Sequence, residues 1–184
     1  MTVKPPPTDA NIHIDTAQLA RGDIRLRAGQ KVFLSGEIFT ARDAAHQIMA
    51  AMLDAGNPLP FDIKGACLYY CGPTPAPPGS VIGSCGPTTS SRMDRYTPAL
   101  LAAGMKAAIG KGPRSREVCE ALMKYQAVYL SAIGGAGALA AKCVLSCTTV
   151  AFPQLGCESV KRLEVKDFPL IVAVDPSGGN IYQK

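Results

Sequence analysis

From residue 31 onward, short unbroken apolar runs alternate with stretches in which apolar residues recur every three to four positions. The runs are brief and bounded by Gly and Pro, so they predict buried strands; the periodic stretches predict helices with one apolar face. Val32-Phe33-Leu34-Ser35-Gly36 predicts a strand ended by a glycine turn. Residues 40–55 predict a helix, with Thr40 and Asp43 spaced as a capping box and Ala44, Ala45, Ile48, Met49, Met52 and Leu53 as its apolar face. Gly56-Asn57-Pro58 ends it. Ala66-Cys67-Leu68-Tyr69-Tyr70 reads as the next strand, and residues 72–79, with four prolines and two glycines, as a surface loop. A helix is predicted from the hydroxyl residues after Gly86-Pro87 to about Ala103, stopped by Gly104. Residues 105–109 and 127–130 predict strands, 116–125 a helix, and 134–140 the glycine-rich start of another. Two late strands are expected at 160–165 and 170–174. No internal repeat interrupts the alternation, which predicts an α/β fold with a sheet covered by helices.

Length and composition narrow the picture. A chain of 184 residues suits one domain with a sizeable core. Residues 1–10 form a Pro-rich tail and 11–184 are expected to be that single domain. Hydrophobic residues make up 47% and charged ones 18%, the balance of a globular chain. Aromatic residues are only 6%, without Trp, which argues against a stacking platform for nucleic acid. The net charge of +5 comes from scattered Lys and Arg, fitting solvated surface or a site for small anions. The N-terminus lacks the apolar core of a signal peptide and no apolar run is long enough to span a membrane, so a cytoplasmic location is expected. Seven Cys is an odd number, which favours reduced thiols over a disulfide framework. Cys67/Cys71 and Cys143/Cys147 share an offset of four. On a strand that offset separates thiols on one face by about 13 Å, too far for one metal; on a helix the second pair would be close. With no CxxC and two His, no metal site is expected in this chain.

Four segments are candidates for chemistry. In Gly86-Pro87-Thr88-Thr89-Ser90-Ser91-Arg92-Met93-Asp94 a forced turn precedes four hydroxyls at a helix N-cap and an Arg on the first turn. N–H groups, hydroxyls and a guanidinium together suit a small anion, most simply a carboxylate; a capped helix with a surface Arg is the plain alternative. Arg42-Asp43-Ala44-Ala45-His46 places Arg and His four apart on one helical face. Gly110-Lys111-Gly112 follows an apolar strand and offers backbone approach plus a point charge, but lacks the Walker A spacing. Gly134-Gly135-Ala136-Gly137 lacks GxGxxG spacing and reads as close helix–sheet packing.

These pieces share their order with a known family. Leu34-Ser35-Gly36, Thr40-Ala41-Arg42-Asp43-Ala44-Ala45-His46, Tyr70-Cys71-Gly72-Pro73, the hydroxyl–Arg–Met–Asp block, Ile109-Gly110-Lys111-Gly112, Ala132-Ile133-Gly134-Gly135-Ala136 and Val165-Lys166-Asp167-Phe168-Pro169 resemble the β subunit, equivalently the C-terminal domain, of class I iron–sulfur fumarases and L(+)-tartrate dehydratases. The resemblance covers about residues 20 to 182. It implies a swivelling β/β/α domain with a mixed sheet flanked by helices. It implies a hydro-lyase of the tricarboxylic acid cycle that reversibly hydrates fumarate to L-malate. It places the 4Fe-4S cluster on a separate α subunit, with no cluster ligand in this chain, and implies a homo-oligomer of αβ units without nucleic acid or membrane.

The resemblance also assigns residues. Arg42, Arg92 and Lys111 bind the substrate carboxylates, with Thr89 beside them, and Thr88 is the catalytic base. Asp43 and His46 support them, orienting Arg42 or a proton path. Two departures stand out. Gln30 replaces the usual Asp of a Gly-Asp turn, and Gly156-Cys157-Glu158-Ser159 replaces the commoner Gly-Met-Glu-Ala. Asp167-Phe168-Pro169 and Ala151-Phe152-Pro153-Gln154-Leu155-Gly156 resemble fumarases more than tartrate dehydratases, which favours fumarate. A tartrate or mesaconate-type dehydratase is the enzyme alternative. A carboxylate-binding or assembly module, inactive by itself, is the alternative from another class.

Overall fold

A computed structural model describes residues 11–183; the Pro-rich residues 1–10 lie outside the described part. Seven strands form one mixed sheet: β1 (Ile12–Asp15), β2 (Lys31–Thr40), β3 (Cys67–Tyr69), β4 (Ala107–Gly110), β5 (Val128–Ser131), β6 (Val144–Ala151) and β7 (Val160–Val174). The helices are α1 (Thr16–Arg21), α2 (Asp43–Asp54), α3 (Thr97–Ala102), α4 (Arg116–Lys124) and α5 (Gly137–Lys142), with 3-10 turns at Ser90–Met93 and Pro153–Glu158. Strands β2, β3, β4 and β5 run parallel; β7 runs antiparallel to both β5 and β2. The pairings β2–β3–β4–β5–β7–β2 therefore close into a ring, which leaves β1 and β6 as flanking strands on β2 and β7.

The strand sequences show why both faces are covered. Cys67 and Tyr69, Ala107 and Ile109, and Val128 and Leu130 join Val32, Leu34, Ile38, Leu163 and Val172 in one core. The alternate positions Leu68, Ala108 and Tyr129 join a second core with Met49, Leu100, Leu101, Val118 and Leu122 of α2 to α4. A strand buried on both faces reads as an unbroken apolar run, as these do. Each large apolar side chain fully buried here contributes about 1.5–3 kcal/mol.

Several sequence expectations are corrected. Strand β2 does not stop at Gly36 but runs on to Thr40 across a register shift between Leu34 and Gly36. A Cβ on Gly36 would lie 2.4 Å from Thr16 Oγ1, so this glycine marks the close approach of α1. Helix α2 starts at Asp43, and Thr40 is no cap. Instead the Thr40 hydroxyl donates to Ser159 O and accepts from Lys161 N, tying β2 to β7. The single helix expected after Gly86-Pro87 is two pieces, the Ser90–Met93 turn and α3, and no hydroxyl caps the turn. The two late strands are one, continuing through Asp167 at φ 50. Cys143 closes α5 while Cys147 sits on β6, so this pair shares no helix. No helix among the described residues is long and apolar enough to cross a membrane.

Candidate active site

The parallel strands β2 to β5 end on the same edge of the sheet, and each hands over to a candidate segment. Arg42 follows β2, Cys71-Gly72 follows β3, Lys111 follows β4 and Ile133-Gly134 follows β5. Backbone hydrogen bonds continue past the strand ends, Ala41 N to Tyr69 O at 3.0 Å and Ala132 N to Gly110 O at 2.7 Å, so these exits are held side by side.

Arg42 is the extended N-cap residue of α2 and offers no side-chain cap. Glu158, from the Pro153–Glu158 turn, does that work: its Oε2 accepts from Ala44 N at 2.9 Å, a carboxylate at a helix N-terminus. Asp43 bridges the two arginines. Arg42 Nε donates to its Oδ2 at 3.0 Å and Arg92 Nε lies 2.8 Å from its Oδ1. Arg42 Nε also lies 3.4 Å from Glu158 Oε1. Both arginines are thus oriented through Nε, and their terminal nitrogens make no hydrogen bond among the described residues. Gly72 lets Arg42 lie flat on the backbone, because a Cβ there would stand 3.0 Å from Arg42 Cδ and 3.3 Å from Cys157 O. Partial burial by itself raises the Asp43 pKa. The backbone N–H, the Arg42 hydrogen bond and the Arg92 charge outweigh it and hold this carboxyl below its ordinary range.

The hydroxyl block is fixed by its main chain. Thr88 N donates to Tyr70 O at 2.6 Å, Ser90 N donates to Lys111 O at 2.9 Å, and Thr89 and Lys111 form a parallel bridge. Thr88 is half-buried and its hydroxyl makes no hydrogen bond among the described residues. Thr89 is exposed and caps nothing. The structural hydroxyl is Ser90, wholly buried, whose Oγ accepts from Lys111 N at 3.0 Å and lies 2.9 Å from Tyr129 Oη. Gly110 makes room for it, since a Cβ there would fall 2.0 Å from Ser90 Oγ. The Lys111 side chain runs past Gly134, and Lys111 forms no ion pair among the described residues.

His46 lies behind this edge, not on the surface. Its Nδ1 is 3.1 Å from Arg42 O, and its ring meets Tyr70 edge-on at 5.0 Å. Burial, with the Arg114 charge adding to it and the Arg42 carbonyl and Asp43 opposing it, pushes its pKa down to about 4. An unfolded His protonates near its ordinary 6.5, the folded one only near 4. Between these values the unfolded state binds the extra proton. Stability present in full above about pH 6.5 should therefore fall as pH drops, by up to about 3 kcal/mol. Urea unfolding at pH 6.5 and 4.5 should show this loss in the wild type and a much smaller one in His46→Phe; equal losses would contradict it.

The sequence-predicted residues thus fall into three places. Arg42, Asp43 and Arg92 are in direct contact; Thr88, Thr89 and Lys111 are joined through the backbone; His46 is sealed beneath. Sequence reading named Asp94 and Tyr70 inside its motifs without giving them a role and singled out neither Arg114 nor Tyr129; all four pack behind the site. It also gave Glu158 no partner. The spacing that joins Ala44 to Glu158 exceeds a hundred residues and leaves no local signal. The main cavities among the described residues, such as one of about 320 Å³ beside Pro73, Ile82, Cys157 and Lys161, are lined by residues other than Thr88, Arg92 and Lys111. The Arg92 side chain is 50% exposed, so this part of the site meets solvent.

A family model described as Fumarase C-terminus matches residues 3–184. "Fumarate hydratase 2" of Leishmania major is 42% identical over 158 residues, covering 85% of this chain and 28% of that protein. "Fumarate hydratase class I, anaerobic" of Escherichia coli is 39% identical over 170 residues, covering 91% of this chain and 30% of that protein. "Putative L(+)-tartrate dehydratase subunit beta" of Methanocaldococcus jannaschii is 38% identical over 174 residues, covering 91% of this chain and 89% of that protein. The chain spans less than a third of the length of these two fumarate hydratases but most of the tartrate dehydratase subunit. A family match along nearly the whole sequence, with relatives 38–42% identical over most of it, shows that the chain belongs to the Fumarase C-terminus family.

Proposed function

We propose that the chain is the swivelling β subunit of a cytoplasmic iron–sulfur hydro-lyase that reversibly hydrates fumarate to L-malate, acting with an α subunit. The observation that carries this is the pair Arg42 and Arg92, bridged by Asp43 through Nε, with terminal nitrogens that make no hydrogen bond among the described residues. Fumarate is a dianion. Guanidinium groups bind carboxylates with two parallel hydrogen bonds, and Lys111 adds a point charge. The half-exposed Arg92 side chain supports a partner, because such contacts strengthen when water is shut out.

Among the described residues the side chains do not gather into a set that fits a cluster. Cys67, Cys71, Cys85 and Cys119 are buried, and among the described residues no three His, Cys, Asp or Glu side chains converge on one point. In this reading the 4Fe-4S cluster belongs to the α subunit and supplies a Lewis acid to the leaving hydroxyl. This chain does the rest. Its cations hold both carboxylates, and Thr88, as alkoxide, takes the proton from C3 of malate. The carbanionic charge spreads into the neighbouring carboxylate, and Arg42, Arg92 and Lys111 bind that extra charge more tightly than they bind malate. A free threonine hydroxyl is a weak base, and the clustered cations are what would stabilise its alkoxide.

One observation favours a second reading. The tartrate dehydratase subunit is 38% identical to this chain and is matched over 89% of its own length, so L(+)-tartrate is the alternative substrate. The test is to purify the chain together with the protein supplying the remaining length of its fumarase relatives, and to assay fumarate, L(+)-tartrate and mesaconate. The proposal expects fumarate hydration to be fastest and to require both chains. Faster tartrate turnover would select the alternative, and no turnover of any of the three would leave a binding module.

A further inference from the structure

Arg114, four residues past Gly110 and just before α4, has a wholly buried side chain. Its guanidinium stacks between two tyrosines, with Cζ 5.3 Å from the Tyr70 ring and 4.9 Å from the Tyr129 ring. Nε donates to Asp94 Oδ1 at 2.7 Å and Nη2 to Thr97 Oγ1 at 2.8 Å. Each partner also supports the site. Asp94 ends the hydroxyl block and accepts from Ser115 N at 2.7 Å. Tyr70 O accepts from Thr88 N. Tyr129 Oη touches Ser90 Oγ and donates to Gly112 O at 2.8 Å. The guanidinium thus backs both the block that carries Thr88 and Arg92 and the loop that carries Lys111.

Two buried polar atoms in this neighbourhood lack a partner, Arg114 Nη1 and His46 Nε2. Their chemistries are complementary. His46 Nδ1 faces the Arg42 carbonyl, which only accepts, so Nδ1 carries the hydrogen and Nε2 is a bare acceptor. Nη1 is a bare donor. Both side chains pack on the Tyr70 ring. Buried polar groups are nearly always satisfied, so an unpaired donor and an unpaired acceptor against one ring point to each other.

We propose that Arg114 is a positioning residue that holds the hydroxyl block and the Lys111 loop in register, and that its Nη1–H reaches His46 Nε2 through one trapped water, so linking this assembly to Arg42. Stability alone gives a weak reason for such a group, because well-packed apolar side chains often serve as well as a buried ion pair. The importance for turnover rests on the hydratase reading; the link to His46 does not.

The two parts are tested separately. On the isolated chain, nitrogen-15 NMR reads His46 Nε2, whose resonance moves upfield when it accepts a hydrogen bond. The wild type should show an accepting Nε2, and Arg114→Met a bare one with folding confirmed by circular dichroism. The same shift in both proteins overturns the link. Should the Met variant fail to fold, Arg114→Lys serves, since its shorter cation cannot reach both Asp94 and His46, and an unchanged Nε2 there overturns the link equally. In the assembled enzyme, Arg114→Lys should lower kcat roughly tenfold to a hundredfold, with KM for fumarate changed less than threefold. A kcat within twofold of wild type in the folded Arg114→Lys enzyme overturns the positioning role.

Discussion

Replacing Thr88 with Val in the assembled enzyme should abolish most turnover and leave substrate binding intact. Valine keeps the shape, and the Thr88 N–H to Tyr70 O bond belongs to the main chain, so the block stays in place. The removed hydroxyl makes no other hydrogen bond among the described residues, so its loss strands no partner. If it is the group that takes the C3 proton, kcat should fall by roughly 10² to 10⁴, the contribution of a positioned base. KM should stay within a few-fold, because Arg42, Arg92 and Lys111 are untouched. Thr89→Val should be nearly silent. Thr89 is exposed and caps nothing, so its stability cost should stay within about 0.5 kcal/mol. Steady-state kinetics on both variants checks the pair.

The second large effect is expected at the arginines, and the structure ranks them. The Arg42 side chain is 23% exposed and touches both Asp43 and Glu158, whereas that of Arg92 is 50% exposed and touches Asp43. A charge-assisted contact in a shielded place is worth about 1.5–3 kcal/mol, so Arg42→Ala should lower kcat/KM tenfold to a few hundredfold. Arg92→Ala should cost less, since its contact is more exposed to water and salt. Kinetic constants for the two variants, with folding checked by circular dichroism, test the ranking. Changes under threefold in both would make these arginines ordinary surface residues.

The readable and unreadable parts of the chain divide on physical grounds. Strands β3, β4 and β5 are buried on both faces, so each stood out as an apolar run flanked by glycine or proline. Strand β6 is an edge strand of Leu145-Ser146-Cys147-Thr148-Thr149, half of it facing solvent, and has no such run. Its β-branched residues were the available signal. The start of the fold was also missed, although Asp15 and Gln18 form a capping box for α1, with Asp15 Oδ1 accepting from Ala17 N and Gln18 Oε1 from Asp15 N. At Gly36 and Asp167 a turn-like residue sits inside a continuous strand, because a bulge absorbs the irregularity without ending the pairing.

In the site, Lys111 and Arg92 were legible because they follow Gly110 and the Gly86-Pro87 turn, and Arg42 because it stands four residues before His46. How they are held was not. Glu158 reaches Arg42 and Ala44 from a distant turn, and Arg114 reads in sequence as one more basic residue before a helix. Only folding shows that the first caps α2 and the second lies sealed between two tyrosines. The hydroxyl expected to cap a helix does something else, with Ser90 locking the Lys111 loop while the Thr88 hydroxyl makes no hydrogen bond among the described residues.

The central claim is that this chain brings the base to the substrate's C3 proton. Exchange of that proton between malate and solvent deuterium, followed by proton NMR in the assembled enzyme, reads this step apart from loss of water. The account predicts exchange at the wild-type rate in Thr89→Val and a loss of at least a hundredfold in Thr88→Val. Exchange at the wild-type rate in Thr88→Val would contradict it and place the base elsewhere.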